Sequence, residues 1–563
     1  MNINQIKRTK AQRSREAIER LYVAMRHLFI RGSYKPLGES GKAMIEALCV
    51  LKPEIYGSIS DPERVELGGL LYIFQRLPKG IEECRFIKLI SKEGFENSKF
   101  APIIAPKRRR DCYRIDEEQM FIEMTRGRSD IYDILTHLTF MYVEASKIRK
   151  NSLDSKGNRR RDWLMLEEIT LKEGRGEEFS KEVGYTYLSA LLGRTYEEIV
   201  AIDERFEKAG NSVNSLFHIV YWLGKRSIEE FREGKAREIS FSSALREKVG
   251  HHIYGELWAS NIKKFLARKK WLKRPLHIIS ANMHSVMNSL YATAALEDFK
   301  EDTLEDLARK LSIENERSAR RKVEQFALDH GMYNLQDSSG TNIQVQIIDL
   351  LELDAKQIIS EIGWNAERIA AEQPLLMVMD YAFGEQAYEV MDELLKPYET
   401  KGKPQQLNIA SISIMGKAGI LQGGKSDIMV PSAHIFEGTA DNYPVDNDLS
   451  VADFEGHDLA VFEGPMITVL GTSLQNRKIL RFFLESSWQA IGLEMEGAHY
   501  QKAIQSASKI RKSINENVVL RYAYYASDNP LETGATLASG SLGIDGVKPT
   551  YLITTKILNR ILG

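Results

Sequence analysis

Gly492-Leu493-Glu494-Met495-Glu496-Gly497-Ala498, followed about thirty residues later by Tyr525-Ala526-Ser527-Asp528-Asn529-Pro530, is the part of this chain whose reading decides the fold. Each stretch closes a short apolar run, Ala490–Glu494 in one and Val519–Ala526 in the other, with an acidic residue at or just past its end. Apolar runs of this length bounded by turn or helix-starting residues read as buried strands. The pair therefore places a Glu and an Asp at two strand ends near the C-terminus of an α/β domain.

Outward from that pair the same grammar continues. Strands are predicted at Leu276–Ser280, Ile343–Leu350, Leu375–Met379, Ile409–Met415, Asp427–Pro431, Ala460–Phe462 and Met466–Leu470. Helices fill the gaps, among them Glu385–Leu395, Gln475–Ser486 and Ala498–Ile510. This alternation is the signature of an α/β domain. The first 270 residues read differently, as mostly helical. Apolar positions 18, 21, 22, 25, 28 and 29 share one helix face, and Ser129 to Lys150 and Tyr196 to Lys208 behave alike. Ala105 to Arg110 and Asn151 to Arg161 read as exposed basic loops. A basic run from Lys263 to Arg274 leads into Pro275, a plausible boundary. The expected organisation is a mostly helical domain over 1–270, regulatory or oligomerising, and an α/β domain over 271–563.

A chain of 563 residues is too long for one core, and 43% apolar with 28% charged residues is ordinary for a globular protein. Three cysteines with no close pair argue against a disulfide scaffold and suit a reducing cytoplasm. Met1 to Arg8 contain no apolar signal core, and no uncharged run approaches the ~18 residues that span a bilayer. A cytoplasmic protein without a membrane partner is expected. The net charge of -1 hides an asymmetry: residues 1–274 carry 52 Lys and Arg against 39 Asp and Glu, residues 275–563 carry 25 against 39. Either the two halves dock or the basic half meets an anion. No recognition module accompanies the basic runs, so nucleic acid is not the expected partner.

Gly419-Ile420-Leu421-Gln422-Gly423-Gly424-Lys425-Ser426 fits the P-loop expression letter for letter. That loop holds phosphates only where a helix begins at the Lys, and the following Asp427-Ile428-Met429-Val430-Pro431 is strand-like. An NTPase is set aside on that ground. Ser411 to Leu421 reads instead as a strand running into a glycine turn, either a plain tight turn or one whose backbone N–H groups approach a ligand. His252 and Glu256 stand four apart, but two ligands do not make a metal site. His499 reads as structural.

In order, the strand ending in Gly416-x-x-Gly419-x-Leu421, then Asp427-Ile428-x-Val430, Glu494-Met495-Glu496-Gly497-Ala498 and Ser527-Asp528-x-Pro530-Leu531 resemble the nucleoside phosphorylase and nucleosidase superfamily. The match covers about Gln373 to Asp528, with weaker agreement back to Leu276. The layout is most similar to AMP nucleosidase, which also carries a separate N-terminal domain. The resemblance implies a three-layer α/β/α nucleoside-phosphorylase-like catalytic domain. It implies that Met495 packs beneath a sugar, that Glu496 accepts hydrogen bonds from ribose hydroxyls, and that Asp528 is the general acid toward a purine ring nitrogen. Glu494 of the same segment is counted among the substrate-binding residues, without a firm role of its own. Ser280, Asn282 and His284 follow the first strand, where the superfamily binds phosphate or positions water. That loop departs from the glycine-and-arginine loop of many phosphorylases. Gly416, Gly419 and Lys417 would line the pocket, Lys417 either contacting phosphate or obstructing it. Arg477 matches an arginine of the AMP nucleosidase pattern or is an ordinary helix-surface residue. The resemblance further implies a homo-oligomer and no cofactor beyond inorganic phosphate as co-substrate or effector.

The chemistry asks for such a pair. Glycosidic cleavage builds positive charge on the sugar and negative charge on the leaving base. A carboxylate by the ribose answers the first and a protonated carboxyl by the base the second. An acid so placed contributes ~10²–10⁴-fold, and holding its proton near neutral pH requires a partly desolvated site. A single Glu or Asp at a strand end is ordinarily a helix cap or a surface charge; two in this order of motifs point to a nucleosidase acting on a purine nucleoside or nucleotide. A phosphorolytic enzyme and a non-catalytic nucleotide sensor remain the alternatives.

Overall fold

The computed structural model of the protein describes residues 9–563 apart from 109, 297–302, 314–315, 354–357, 401, 440 and 533–541. The chain divides into two compact units, Met1–His251 with Ser473–Ile479, and His252–Thr472 with Leu480–Gly563. Among the described residues no helix is long and apolar enough to cross a membrane.

The first unit carries the amphipathic helices that the periodicity predicts. Lys10–Arg31 starts at Thr9 and Tyr196–Lys208 at Thr195, each with a reciprocal capping box to Gln12 and Glu198. It also contains a six-stranded sheet that a mostly helical reading misses. Its order is Ser33–Tyr34, Glu238–Phe241, Phe86–Ile90, Gln119–Glu123, Asp111–Arg114, Ile103–Ile104. These strands are two to five residues long, too short for a period-two pattern to stand out from a buried helix segment. Next to the sheet, the Arg110 side chain is 3% exposed and lies 2.7 Å from both Asp130 and Asp133, while Arg108 reaches Asp133 at 3.0 Å.

In the second unit the elements run α1 (Ile253–Arg268), β1 (Leu276–Ser280), α2 (Met283–Ala295), α3 (Leu304–Leu311), α4 (Arg317–Asp329), β2 (Met332–Leu335), β3 (Val345–Asp349), α5 (Ala366–Glu372), β4 (Leu375–Met379), α6 (Gln386–Leu394), β5 (Ile409–Ile420), β6 (Ile428–Phe436), β7 (Asn442–Pro444), β8 (Val461–Thr468), β9 (Gly492–Glu494), α7 (Gly497–Gln505), β10 (Val519–Asp528) and α8 (Val547–Leu562). The expected boundary at 270 falls after α1, but α1 belongs to the second unit. Its Trp258, Ile262 and Leu266 enter that core, and Gly255 lies against the backbone of Glu389 on α6.

The ten-stranded sheet has the order β7-β6-β8-β9-β5-β1-β4-β3-β2, with β10 paired to both β5 and β6. β1 is flanked by parallel β4 and β5, and β10 runs parallel to β5. Successive side chains enter two different apolar clusters. Ile278, Ile414 and Tyr522 join Ala259 of α1, Val390 of α6 and Ala503 of α7; Ile279, Met415 and Ala523 join Val286 of α2, Leu307 of α3, Val323 of α4 and Ile557 of α8. Covering both faces explains why these strands read as continuous apolar runs.

Two local expectations change. β8 is a single strand where the sequence suggests two runs, because β6 absorbs the Gly464-Pro465 step with a register shift at Pro431/Ala433. The stretch from Gly416 to Gly419 is not a turn: β5 continues to Ile420 with a register shift between Ala418 and Gly419. The turn lies between β5 and β6, where Gly423 has φ +117° and a Cβ would fall 2.6 Å from the Phe462 ring. A strand, not a helix, follows Lys425.

Asp133→Ala takes one counter-charge from the buried Arg110 and from the partly buried Arg108 and should cost about 3–5 kcal/mol. Urea titration of the full chain measures this; an unchanged midpoint would show that the network carries no stability.

Candidate active site

β5 organises the site. At Gly419 it is flanked by Leu493 of β9 on one side and Asp528 of β10 on the other. Adjacent strands lie about 4.8 Å apart, so the two acidic segments face each other across one strand, about 10 Å apart at the backbone. The close approach needs glycine: a Cβ on Gly492 would lie 2.7 Å from the Gly419 carbonyl oxygen and 2.4 Å from Met429 Sδ.

Asp528 ends β10 and is 2% exposed. Its Oδ1 accepts from the Ser527 hydroxyl at 2.6 Å, a hydroxyl also 3.1 Å from the Ala418 carbonyl. Its Oδ2 is buried and has no hydrogen-bond partner among the described residues. Burial raises the carboxyl above the ordinary aspartate range, against the smaller pull of Ser527, Lys417 and Lys425. Such a group favours its protonated form more than an exposed aspartate does and has one oxygen left for a ligand.

The two glutamates of the other segment behave in opposite ways. Glu494 spends both oxygens on the protein. Oε1 accepts from the Thr468 hydroxyl and lies 3.3 Å from His434 Nδ1, while Oε2 accepts the backbone N–H groups of Glu496 and Gly497. Thr468 Oγ1 also accepts the Ala498 N–H at 2.9 Å. The N–H groups of Glu496, Gly497 and Ala498 at the start of α7 are thereby satisfied. Burial pushes Glu494 upward, but His434, Thr468 and the Gly497 N–H outweigh it and hold the carboxylate below its usual range. The expectation that Glu494 touches substrate gives way to an anchoring position. Glu496, half-buried, turns the other way and accepts the Gly384 N–H at 2.8 Å. Burial first and the charge of Glu494 second push it up to about 8, against the Gly384 and Met495 N–H groups. Met495 between them is buried.

Around this pair the loops after β1 and β4 come together. Tyr500 on α7 lies 3.1 Å from Ser280 Oγ at the end of β1. A Cβ on Gly416 would meet the Tyr381 ring at 3.3 Å. Asn282 caps α2 by accepting the His284 N–H at 3.0 Å, and Asn282, His284 and Lys417 line one cavity of about 720 Å³. Ser280 does not line it. Arg477 is placed in the first unit, where its backbone N–H donates to Glu54 at 3.3 Å and its guanidinium lies 4.0 Å from the same carboxylate. Thr468, His434, Gly384, Tyr381 and Tyr500 escape a reading of the sequence. Gly384 alone left a trace, as a glycine between a strand and a helix, and it adopts φ +56°.

A family model described as a family of unknown function (DUF6909) matches residues 42–312 and 306–563. No curated protein matches the chain. Among solved structures, a futalosine hydrolase mutant of Helicobacter pylori strain 26695 is 11% identical with a TM-score of 0.30, covering 50% of this chain and 98% of that one. The 5′-methylthioadenosine/S-adenosyl homocysteine nucleosidase of Campylobacter jejuni is 11% identical with a TM-score of 0.30, covering 51% and 98%. The corresponding nucleosidase of Colwellia psychrerythraea 34H, in complex with adenine, is 11% identical with a TM-score of 0.29, covering 51% and 96%.

Two variants test the geometry. A carboxyl raised in the folded state stabilises while it is neutral, and that contribution is lost as pH rises from the ordinary glutamate value of about 4.3 toward 8. Glu496→Gln should therefore gain melting temperature relative to the wild type between pH 5 and pH 8; parallel curves would refute the shift. A Cβ on Gly497 would lie 2.2 Å from Nδ1 of the buried His434. Gly497→Ala should accordingly destabilise by about 1–3 kcal/mol through overpacking, read by the unfolding midpoint.

Proposed function

We propose that this chain, which belongs to the family of unknown function DUF6909, cleaves the N-glycosidic bond of a purine nucleoside or nucleotide and releases the free base. The observation that carries this reading is the buried, unpartnered Oδ2 of Asp528, on a carboxyl raised by burial, facing the Glu496 segment across β5. Two carboxyl groups held in unlike surroundings are what an acid and a sugar-binding group require. The partition of β1, β5 and β10 side chains between two sets of helices supports a three-layer α/β/α nucleoside-phosphorylase-like fold as part of the same reading.

In the proposed reaction the base stacks in the pocket with a ring nitrogen at Asp528 Oδ2. As the C1′–N bond breaks, its electrons move onto the base and the Asp528 proton joins that nitrogen. Ribose hydroxyls donating to Glu496 favour its ionised form, and the carboxylate then stabilises positive charge on the sugar. Water adds its oxygen to C1′ and releases one proton, which restores Asp528. We favour water over phosphate because the loop from Ser280 to Ser285 lacks the glycine and arginine of many phosphorylases, and because the layout is AMP nucleosidase-like. A homo-oligomer in the cytoplasm belongs to the same proposal.

The test is base release, followed by chromatography, from adenosine, inosine, guanosine, methylthioadenosine, AMP, GMP and NAD, with and without phosphate. Asp528→Asn should lower turnover ~10²–10⁴-fold while ligands still bind. Release only with phosphate would make the enzyme a phosphorylase. Binding without release from any substrate would make the chain a sensor and end the proposal, as would full activity in Asp528→Asn.

A further inference from the structure

The cavity that Lys417, Asn282 and His284 share is cationic. Arg317, Arg320 and Arg321 of α4 also line it, and Glu324 is the one acidic side chain among its described lining residues. Three arginines in the opening turns of a helix oppose its macrodipole. Arg317 and Arg321, four apart, also repel each other along the helix face. Neither forms an ion pair with a described residue. Arg320 is braced by the carbonyls of Leu311 and Ile313 at 2.7 and 2.9 Å. Taken alone this arrangement is destabilising, and a bound anion offsets both effects.

Its position relates it to the carboxyl pair. On β5, Lys417 pairs with Tyr525 of β10, which also lines the cavity, and Gly419 pairs with Asp528. Two residues of strand separate those levels, about 7 Å. An anion held at Lys417 is thus about two residues of strand from the level at which Asp528 meets the base, and the Lys417 charge already acts on that carboxyl. Four cations face one carboxylate. A single phosphate brings about two negative charges and leaves the wall positive, whereas a chain of two or three phosphates neutralises it. The cavity volume of about 720 Å³ is that of a pocket for a whole ligand rather than for one small ion.

We propose that this cavity takes the phosphate chain of a nucleoside di- or triphosphate, so that the substrate class is a nucleoside polyphosphate. The inference rests on the reading of Asp528 and Glu496 given above. Arg317, Arg321 and Lys417 bind the chain and set specificity.

Binding and turnover are measured separately, so that the two proposals fail separately. Calorimetry on the full chain should show inorganic tripolyphosphate binding at least tenfold more tightly than inorganic phosphate, and the Arg317→Gln/Arg321→Gln double variant should lose at least tenfold of that affinity. Equal affinity for the two anions, no binding, or an unaffected double variant would overturn the assignment whether or not the protein is an enzyme. Base release from adenosine, AMP, ADP and ATP, and from the guanine series, should show kcat/KM at least tenfold higher for the di- or triphosphate than for the monophosphate, with that ratio collapsing in the double variant. Equal or better use of the monophosphate would overturn the substrate class while leaving the glycosidic reaction standing. No base from any substrate, with tripolyphosphate still bound at the arginines, would overturn the reaction and with it this substrate class.

Discussion

The buried carboxylate of Glu494 is the constraint on which the rest of the site depends. It closes the step from β9 into α7 by taking the Glu496 and Gly497 N–H groups, ties that step to β8 through Thr468, and faces His434 on β6. A helix N-terminus favours a negative charge, and a buried charge survives only when paired and hydrogen-bonded. Both conditions are met by one side chain. The same charge is also the second cause of the raised Glu496 carboxyl. One anion thus positions its neighbour two residues away and adds to the rise in proton affinity that burial begins.

Asp528 is handled in the reverse manner. It is as deeply buried as Glu494 but has one oxygen bonded and one without a partner. A buried polar atom left unpaired costs stability, and in a native fold such an atom asks for an explanation. A ligand nitrogen is one that fits both the raised proton affinity and the position at a strand end. Glu494 and Asp528 therefore span the range from fully used by the protein to held in reserve, and burial does not separate them. Hydrogen-bond count does.

β5 gives these groups a common frame. β1, β4 and β10 all run in its direction, so the loops that follow β1 and β4 and the end of β10 gather at one edge of the sheet. Ligands of open α/β sheets bind outside the carboxyl ends of strands because there the chain leaves the ladder and its polar groups become available. β1 pairs with β5 only as far as Ile414, β9 takes up Gly419 and Ile420, and Gly419 still pairs with Asp528 of β10 past the register shift at Ala418/Gly419.

Much of this frame was legible in the chain. The bounds of β1 and β4 coincide with the apolar runs at 276–280 and 375–379, and Tyr196–Lys208 with its amphipathic pattern, because periodicity and caps are local properties. The acidic residues at two strand ends were equally plain. By itself the sequence determined an α/β second half and which carboxyl groups its strands carry to their ends. Only the tertiary structure decided how those groups are used: that Glu494 is consumed by Thr468, 26 residues away, that Glu496 meets Gly384, 112 residues away, and that Arg477 lies beside Glu54. It also decided that the arginines of α4 share a wall with Lys417, about a hundred residues later, and that the first unit holds a sheet. The physical reason is that a hydrogen bond or a field depends on distance through space, which spacing along the chain does not encode beyond a helix turn or a strand pair.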